Sequence, residues 1–127
     1  MTGNQLYELS LDLLGLKGEN GQITSDSEDL ASRSLSLINV LLAENSSLDC
    51  RIKRCEHTVY RIDSLEDEIG FTDVVASTVL PYGLAYLLML GEDDPLAISM
   101  QRLYEKARSE ALRFGKAKAE PITEVYR

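Results

Sequence analysis

The sequence predicts a mainly α-helical single domain: a four-helix core, an extended loop between the second and third helices, and an extended C-terminal tail. Three observations predict it. Leucine-rich positions recur at steps of three and four in four separate segments, which is the spacing of one helix face. Glycine, proline and capping residues fall between those segments rather than within most of them. The pattern is lost in two places, around residues 50–61 and after residue 118. At 127 residues the chain has the length of one domain and can bury a core without disulfides or metals. We therefore expect a core over about residues 4–118 and a tail over 119–127.

The first helix is expected over Gln5–Leu16, with Leu6, Leu9, Leu13 and Leu16 on its buried face. The run Lys17-Gly18-Glu19-Asn20-Gly21 supplies residues that end helices. A second helix begins near Asp26, where Ser25 or Asp26 can cap it and Glu28 and Asp29 favour the positive end of the dipole. Its apolar stripe reads Leu30, Leu37, Ile38, Leu41, Leu42 and Leu48, with Asn45 and Glu44 elsewhere. Ser46, Ser47 and Asp49 mark its expected end.

The stretch from Cys50 to Arg61 alternates partly between apolar and polar residues and predicts extended structure or a short hairpin. It is also the most basic part of the chain, with Arg51, Lys53, Arg54 and Arg61. Ser64–Ile69 reads as a capped helical turn closed by Gly70. The third helix is expected over about Thr72–Leu90. It is apolar on nearly every side, so it should be central, and Pro81 should kink or break it. Gly83 and Ala85 would let a neighbouring backbone approach closely. Asp94 and Pro95 start the fourth helix, which carries Leu96, Met100, Leu103, Tyr104, Ala107, Ala111 and Phe114 and ends near Gly115. Ile122-Thr123-Glu124-Val125-Tyr126-Arg127 alternates like a strand.

Composition narrows the function classes. The net charge is −8, from 13 basic and 21 acidic residues, which disfavours nucleic acid as a tightly bound ligand. An acidic wall that DNA slides past is compatible with it. Met1–Asn4 lacks the basic and apolar regions of a signal peptide, and Leu84–Leu90 is too short to span a bilayer. Together with two cysteines that form no disulfide framework, this predicts a reducing cytoplasm and no membrane association.

Reactive constellations are sparse. Cys50, Cys55 and His57 offer three zinc-type ligands, but a structural site takes four in compact spacing, and the chain has one histidine. Thiols outside any metal site and a surface histidine are the favoured reading. A Cys55–His57 nucleophile pair lacks an orienting residue and an oxyanion donor pair. Asp63, Glu66, Asp67 and Glu68, like Glu92-Asp93-Asp94, fit helix caps and solvated faces better than catalysis or a calcium loop. No phosphate-binding glycine loop follows a strand. The expectation is a non-enzymatic protein without cofactor or metal. The basic stretch is read as meeting an acidic protein surface rather than nucleic acid. Six tyrosines against two phenylalanines and no tryptophan suit half-buried and interface positions, and Tyr82 and Tyr86 share a helix face.

The residues Ile62-Asp63-Ser64-Leu65-Glu66-Asp67-Glu68-Ile69, Leu80-Pro81-Tyr82-Gly83-Leu84-Ala85, Gly91-Glu92-Asp93-Asp94-Pro95, Gln101-Arg102-Leu103-Tyr104-Glu105 and Ile122–Tyr126, in that order, resemble the small head–tail connector proteins of tailed bacteriophages and prophages. The resemblance covers residues 62–126 best; the first half matches in helical layout. It implies a structural subunit that forms a ring, commonly of twelve copies, below the portal protein. The ring extends the DNA channel without binding DNA specifically and docks a neck or tail protein. The location implied is the cytoplasm during assembly and the virion neck afterwards. Extended segments reach neighbours in such rings, which would make Arg51, Lys53, Arg54, Tyr60 and Arg61 in the loop, and Ile122, Val125 and Tyr126 in the tail, assembly contacts. The competing expectations are a helical adaptor or regulatory protein acting as a small oligomer with an apolar groove, and a zinc-dependent module that a chelator would unfold.

Overall fold

A computed structural model describes residues 1–16, 28–54 and 60–119. Among them the chain forms five helical segments: α1 (Gly3–Leu14), α2 (Glu28–Lys53), α3 (Asp73–Thr78), α4 (Leu80–Met89) and α5 (Asp94–Ala119). No strand forms among the described residues; an isolated antiparallel bridge joins Thr2 to Glu68. The mainly helical class stands. Segments α3 and α4 are the two parts of the expected third helix, divided at Val79. Pro81 falls in the first turn of α4, where a missing N–H breaks no helical bond.

Segment α4 is the centre of the fold and packs against each of the other four helices. Leu80, Leu84 and Leu88 have no exposed surface, as expected of a helix apolar on most sides. Gly83 sets the closest approach. A Cβ there would come within 2.8 Å of both Leu41 Cδ2 and Tyr104 Cε1, so any side chain would push α2 and α5 away from α4.

Segment α1 begins at a capping box. The Gln5 amide donates to Thr2 Oγ1 at 3.2 Å and the Thr2 amide donates to Gln5 Oε1 at 2.9 Å. It ends at Gly15, whose φ of +70° needs a residue without Cβ, so the helix stops before Leu16. Its buried face is Leu6, Tyr7, Ser10 and Leu11. Leu9 and Leu13, expected inside, are partly exposed. They sit on the flank of the stripe and line a shallow groove with Pro81 and Tyr82.

Segment α2 differs most from expectation. It passes through Ser46, Ser47 and Asp49 and ends at Lys53. Residues 50–53, expected to be extended, are its last turn. Ile38, Leu41, Leu42, Leu48 and Ile52 are buried as a helical stripe, but so are Ser34, Asn45, Ser46 and Asp49, each without exposed surface. Ser34 and Ser46 donate back to the carbonyls of Ala31 and Leu42, a way for a hydroxyl to be satisfied inside a helix. In α5, Asp93 rather than Asp94 is the cap, accepting from the Leu96 amide at 3.1 Å. The helix continues past Gly115 to Ala119.

Residues 60–72 form a strap between α2 and α3. Ser64–Asp67 is a turn rather than a helix, closed by the Asp67 amide donating to the Ser64 carbonyl at 3.0 Å. The strap caps α1: the carbonyls of Asp67 and Leu65 accept from the Gly3 and Asn4 amides, donors that a helix start leaves unpaired.

Candidate interaction surface around helix α2

Two flanks of α2 carry the sequence-derived contact residues, and they are built differently. One flank holds the strap. Asn39 makes a two-way bond with Ile62, its Oδ1 accepting from the Ile62 amide and its Nδ2 donating to the Ile62 carbonyl, each at 2.9 Å. Two turns and more along the helix, Asp49 Oδ1 accepts from the Thr72 amide at 2.7 Å. Lys53 lies 2.8 Å from Asp49 Oδ2, donates to the Gly70 carbonyl, and sits 4.7 Å from the centroid of the Tyr60 ring. Tyr60 meets Phe71 edge-on with centroids 5.4 Å apart.

Lys53 and Tyr60, two of the expected assembly contacts, tie the strap to α2 within the chain. Burial alone would lower the Lys53 ammonium pKa, but its bonds to Asp49 and Tyr60 outweigh that and raise it. A buried carboxylate on α2 thus fixes both the cap of α3 and the cation above it.

The opposite flank is open. Arg51 is two residues from Lys53, hence about 160° away around the helix axis. It is exposed and lines a cleft of about 460 Å³ between α2 and α5. The cleft has an apolar floor, Leu48 and Leu112, hydroxyls from Ser47 and Ser109, and a second cation, Arg108, facing one acid, Glu105. Arg108 is shared with the network at its inner edge. Its Nη1 is 3.9 Å from Glu44 Oε1 and its guanidinium carbon 5.6 Å from the Tyr104 centroid. Its Nε is shielded from solvent and has no hydrogen-bond partner among the described residues.

Beneath that edge, Tyr104 donates its hydroxyl proton to Glu44 and accepts from Asn45 Nδ2 at 2.8 Å. Burial, then the bond to Glu44, raises the Tyr104 pKa well above the ordinary phenol value.

The remaining sequence-derived contacts separate. Arg54 leaves the helix with φ +59° and is exposed. Arg61 is exposed and pairs loosely with Asp63 at 3.7 Å. Ile122, Val125 and Tyr126 lie outside the described residues, as do Cys55 and His57. Cys50 is buried. Among the described residues no group of three or more His, Cys, Asp or Glu side chains is placed to hold a metal, and no helix is long and apolar enough to cross a membrane.

Apolar surface lies elsewhere on α5. Leu103 and Phe114, part of the apolar series expected along the fourth helix, are 40% and 46% exposed. Eleven residues separate them, close to three full turns, so they stand on one face. Sequence reasoning missed Asn45, Asp49 and the Tyr104 hydroxyl as a polar interior. The available signal was register: Asn45 and Asp49 continue the Ile38–Leu41–Leu42–Leu48–Ile52 face. Comparison of the chain with family models, curated proteins and solved structures gave no significant match.

Proposed function

We propose that the chain is a non-catalytic assembly protein, a head–tail connector subunit that forms a ring beneath a portal, extends its DNA channel and docks a neck or tail protein. The resemblance over residues 62–126 supplies the class. The observation that carries it is the exposed apolar pair Leu103 and Phe114 on one face of α5, in a domain whose net charge is −8. Large apolar side chains left exposed on one helix face are what a subunit offers a neighbour.

The acidic surface suits a channel that passes DNA without holding it, because phosphates and carboxylates repel. The tail with Ile122, Val125 and Tyr126 has the alternating pattern of a segment that adds to a partner's surface.

The test is to mix the purified chain with a candidate portal ring from the same genome and measure the mass of the complex by light scattering after size exclusion. A complex with about one subunit per portal chain is the expected result. No binding, with a stable low oligomer of the chain alone, overturns the connector reading in favour of a helical adaptor acting as a small oligomer.

A further inference from the structure

The α2–α5 cleft and the turn at residues 63–68 have opposite charge and lie on different flanks of the same helix. Two arginines and one glutamate line the cleft. The turn presents Asp63, Glu66 and Glu68, all exposed, directly after the Asn39–Ile62 anchor on the other flank of α2. Glu68 is engaged by the N-terminal ammonium at 2.9 Å. Asp67 is consumed within the turn, its Oδ2 accepting from the Asp63 and Ser64 amides. Glu66 is exposed, and its carboxylate has no partner among the described residues.

We propose that the cleft is the receptor for the acidic turn of a second copy of this chain, with Glu66 entering between Arg51 and Arg108. This deepens the assembly reading and rests on it for its biological meaning. Three features favour a second copy. The turn is a preorganised ligand, tied to α1 by the bonds from Gly3 and Asn4 and to α2 through Ile62, so little ordering cost accompanies docking. The cleft has the volume of a typical recessed binding site and carries two arginines against one glutamate. Receptor and ligand occupy different flanks, so the contact is head-to-tail: each copy's turn enters the next copy's cleft, and repetition closes a ring or continues as a filament.

The arginines suit the role. A guanidinium presents a planar fork that a carboxylate matches with two parallel bonds, and Arg108 has a solvent-shielded Nε without a bond. The loose 3.9 Å contact of Arg108 with Glu44 leaves the guanidinium able to take a closer acid.

The test uses the full chain without a portal. Sedimentation equilibrium is run across protein concentration at low and high salt for the natural chain, for Arg51→Glu, for Glu66→Arg, and for an equal mixture of the two variants. The natural chain is expected to self-associate in low salt and to lose mass as salt screens the contact. Each variant alone should weaken association at least about tenfold, by putting like charges face to face. The mixture should recover it, since the acidic cleft of one variant accepts the basic turn of the other while the unaltered cleft and turn still match. Ser109→Glu, which places an acid in the cleft without touching the end of α2, should behave like Arg51→Glu. A natural chain that stays monomeric in low salt overturns the proposal. So do single variants that associate normally, or a mixture that recovers nothing. Self-association through these residues without portal binding keeps the contact and discards the connector.

Discussion

Arg51 and Lys53 are two basic residues in the same turn of one helix, and the fold uses them in opposite ways. The Lys53 side chain is 27% exposed and that of its partner Asp49 is fully buried; between them they fasten the strap and the start of α3. Arg51 points from the other flank into an open cleft. Composition treats the two alike, as part of one basic patch. What separates them is helical phase: Lys53 shares a flank with Asn39, whose polar groups are all directed at the strap, and Arg51 shares one with Ser47. A basic stretch is thus a mixture of internal ties and open, exposed cations, and substitutions on the two flanks should fail differently.

The largest effect is expected at Asp49. Asp49→Ala removes the acceptor for the Thr72 amide and strands the Lys53 ammonium beside a buried hole. Loss of a bond to a buried charge of this kind costs about 2–3 kcal/mol, or roughly 10 °C in melting temperature. Asp49→Asn keeps an oxygen for Thr72 and should lose about half as much. Thermal unfolding of the three proteins checks this, and a loss under about 1 kcal/mol for the alanine variant would mean that this flank does not hold the strap.

How much of this was legible in the sequence follows from the same geometry. The helical class, the central apolar helix and its break near Pro81 were readable because periodicity and proline act locally. Close packing at Gly83 was readable too, although the side chains of Leu41 and Tyr104 come near it rather than the backbone expected. The end of α2 was not. Ser46, Ser47 and Asp49 look like a terminus because such side chains compete with helix backbone bonds in isolation, whereas here Ser46 bonds back to its own helix and Asp49 finds its partner in Thr72, 23 residues away. Tertiary partners reverse a local preference, and no local pattern reports them. The exposure of Leu103 and Phe114 was not legible either: a step of three or four admits a residue to the edge of a stripe as readily as to its centre, and both lie at the edge. The cleft was half legible. Arg51 was singled out by charge, but Arg108 joins it from a helix more than fifty residues away, and only packing brings them together.

A smaller effect, on the cleft side, is expected at Tyr104. Removing its hydroxyl in Tyr104→Phe takes one bond from Asn45 and one from Glu44. Asn45 still donates to the Leu41 carbonyl at 2.9 Å and Glu44 reaches water, so the cost at neutral pH is about 1 kcal/mol. The pH dependence identifies the residue. Burial and the Glu44 bond raise the Tyr104 pKa above its ordinary 10.0, and the Asp49 and Tyr60 bonds raise that of Lys53 above 10.5 against the pull of burial. In both cases the folded chain holds its proton at pH values where the unfolded chain releases it. Their contribution to stability is therefore complete at neutral pH and lost as pH climbs past those ordinary values toward the folded ones. Denaturant unfolding between neutral and strongly alkaline pH should show stability falling with pH, and Tyr104→Phe and Lys53→Met should each flatten the fall. An unchanged slope in Tyr104→Phe would place the phenol in ordinary contact with water.

The smallest effect on stability is expected at Arg51, and it is the sharpest test of the contrast between the flanks. Arg51→Ala removes an exposed cation from the last turn of α2, where it interacts favourably with the helix dipole. It breaks none of the strap's bonds, which run through Asn39, Asp49 and Lys53. The expected loss is at most about 0.5 kcal/mol, and it should shrink further in high salt, because an exposed charge is screened where a buried pair is not. Lys53→Met, two residues away, removes the cation over Tyr60 and the donor to Gly70 and leaves the Asp49 carboxylate without its counter-ion. It should cost more than Arg51→Ala and retain most of that cost in salt. Equal losses in the two variants would erase the distinction between an internal and an external flank. A large loss in Arg51→Ala alone would make the cleft arginine a tie of the α2–α5 interface, already committed within the chain and not available to a neighbour.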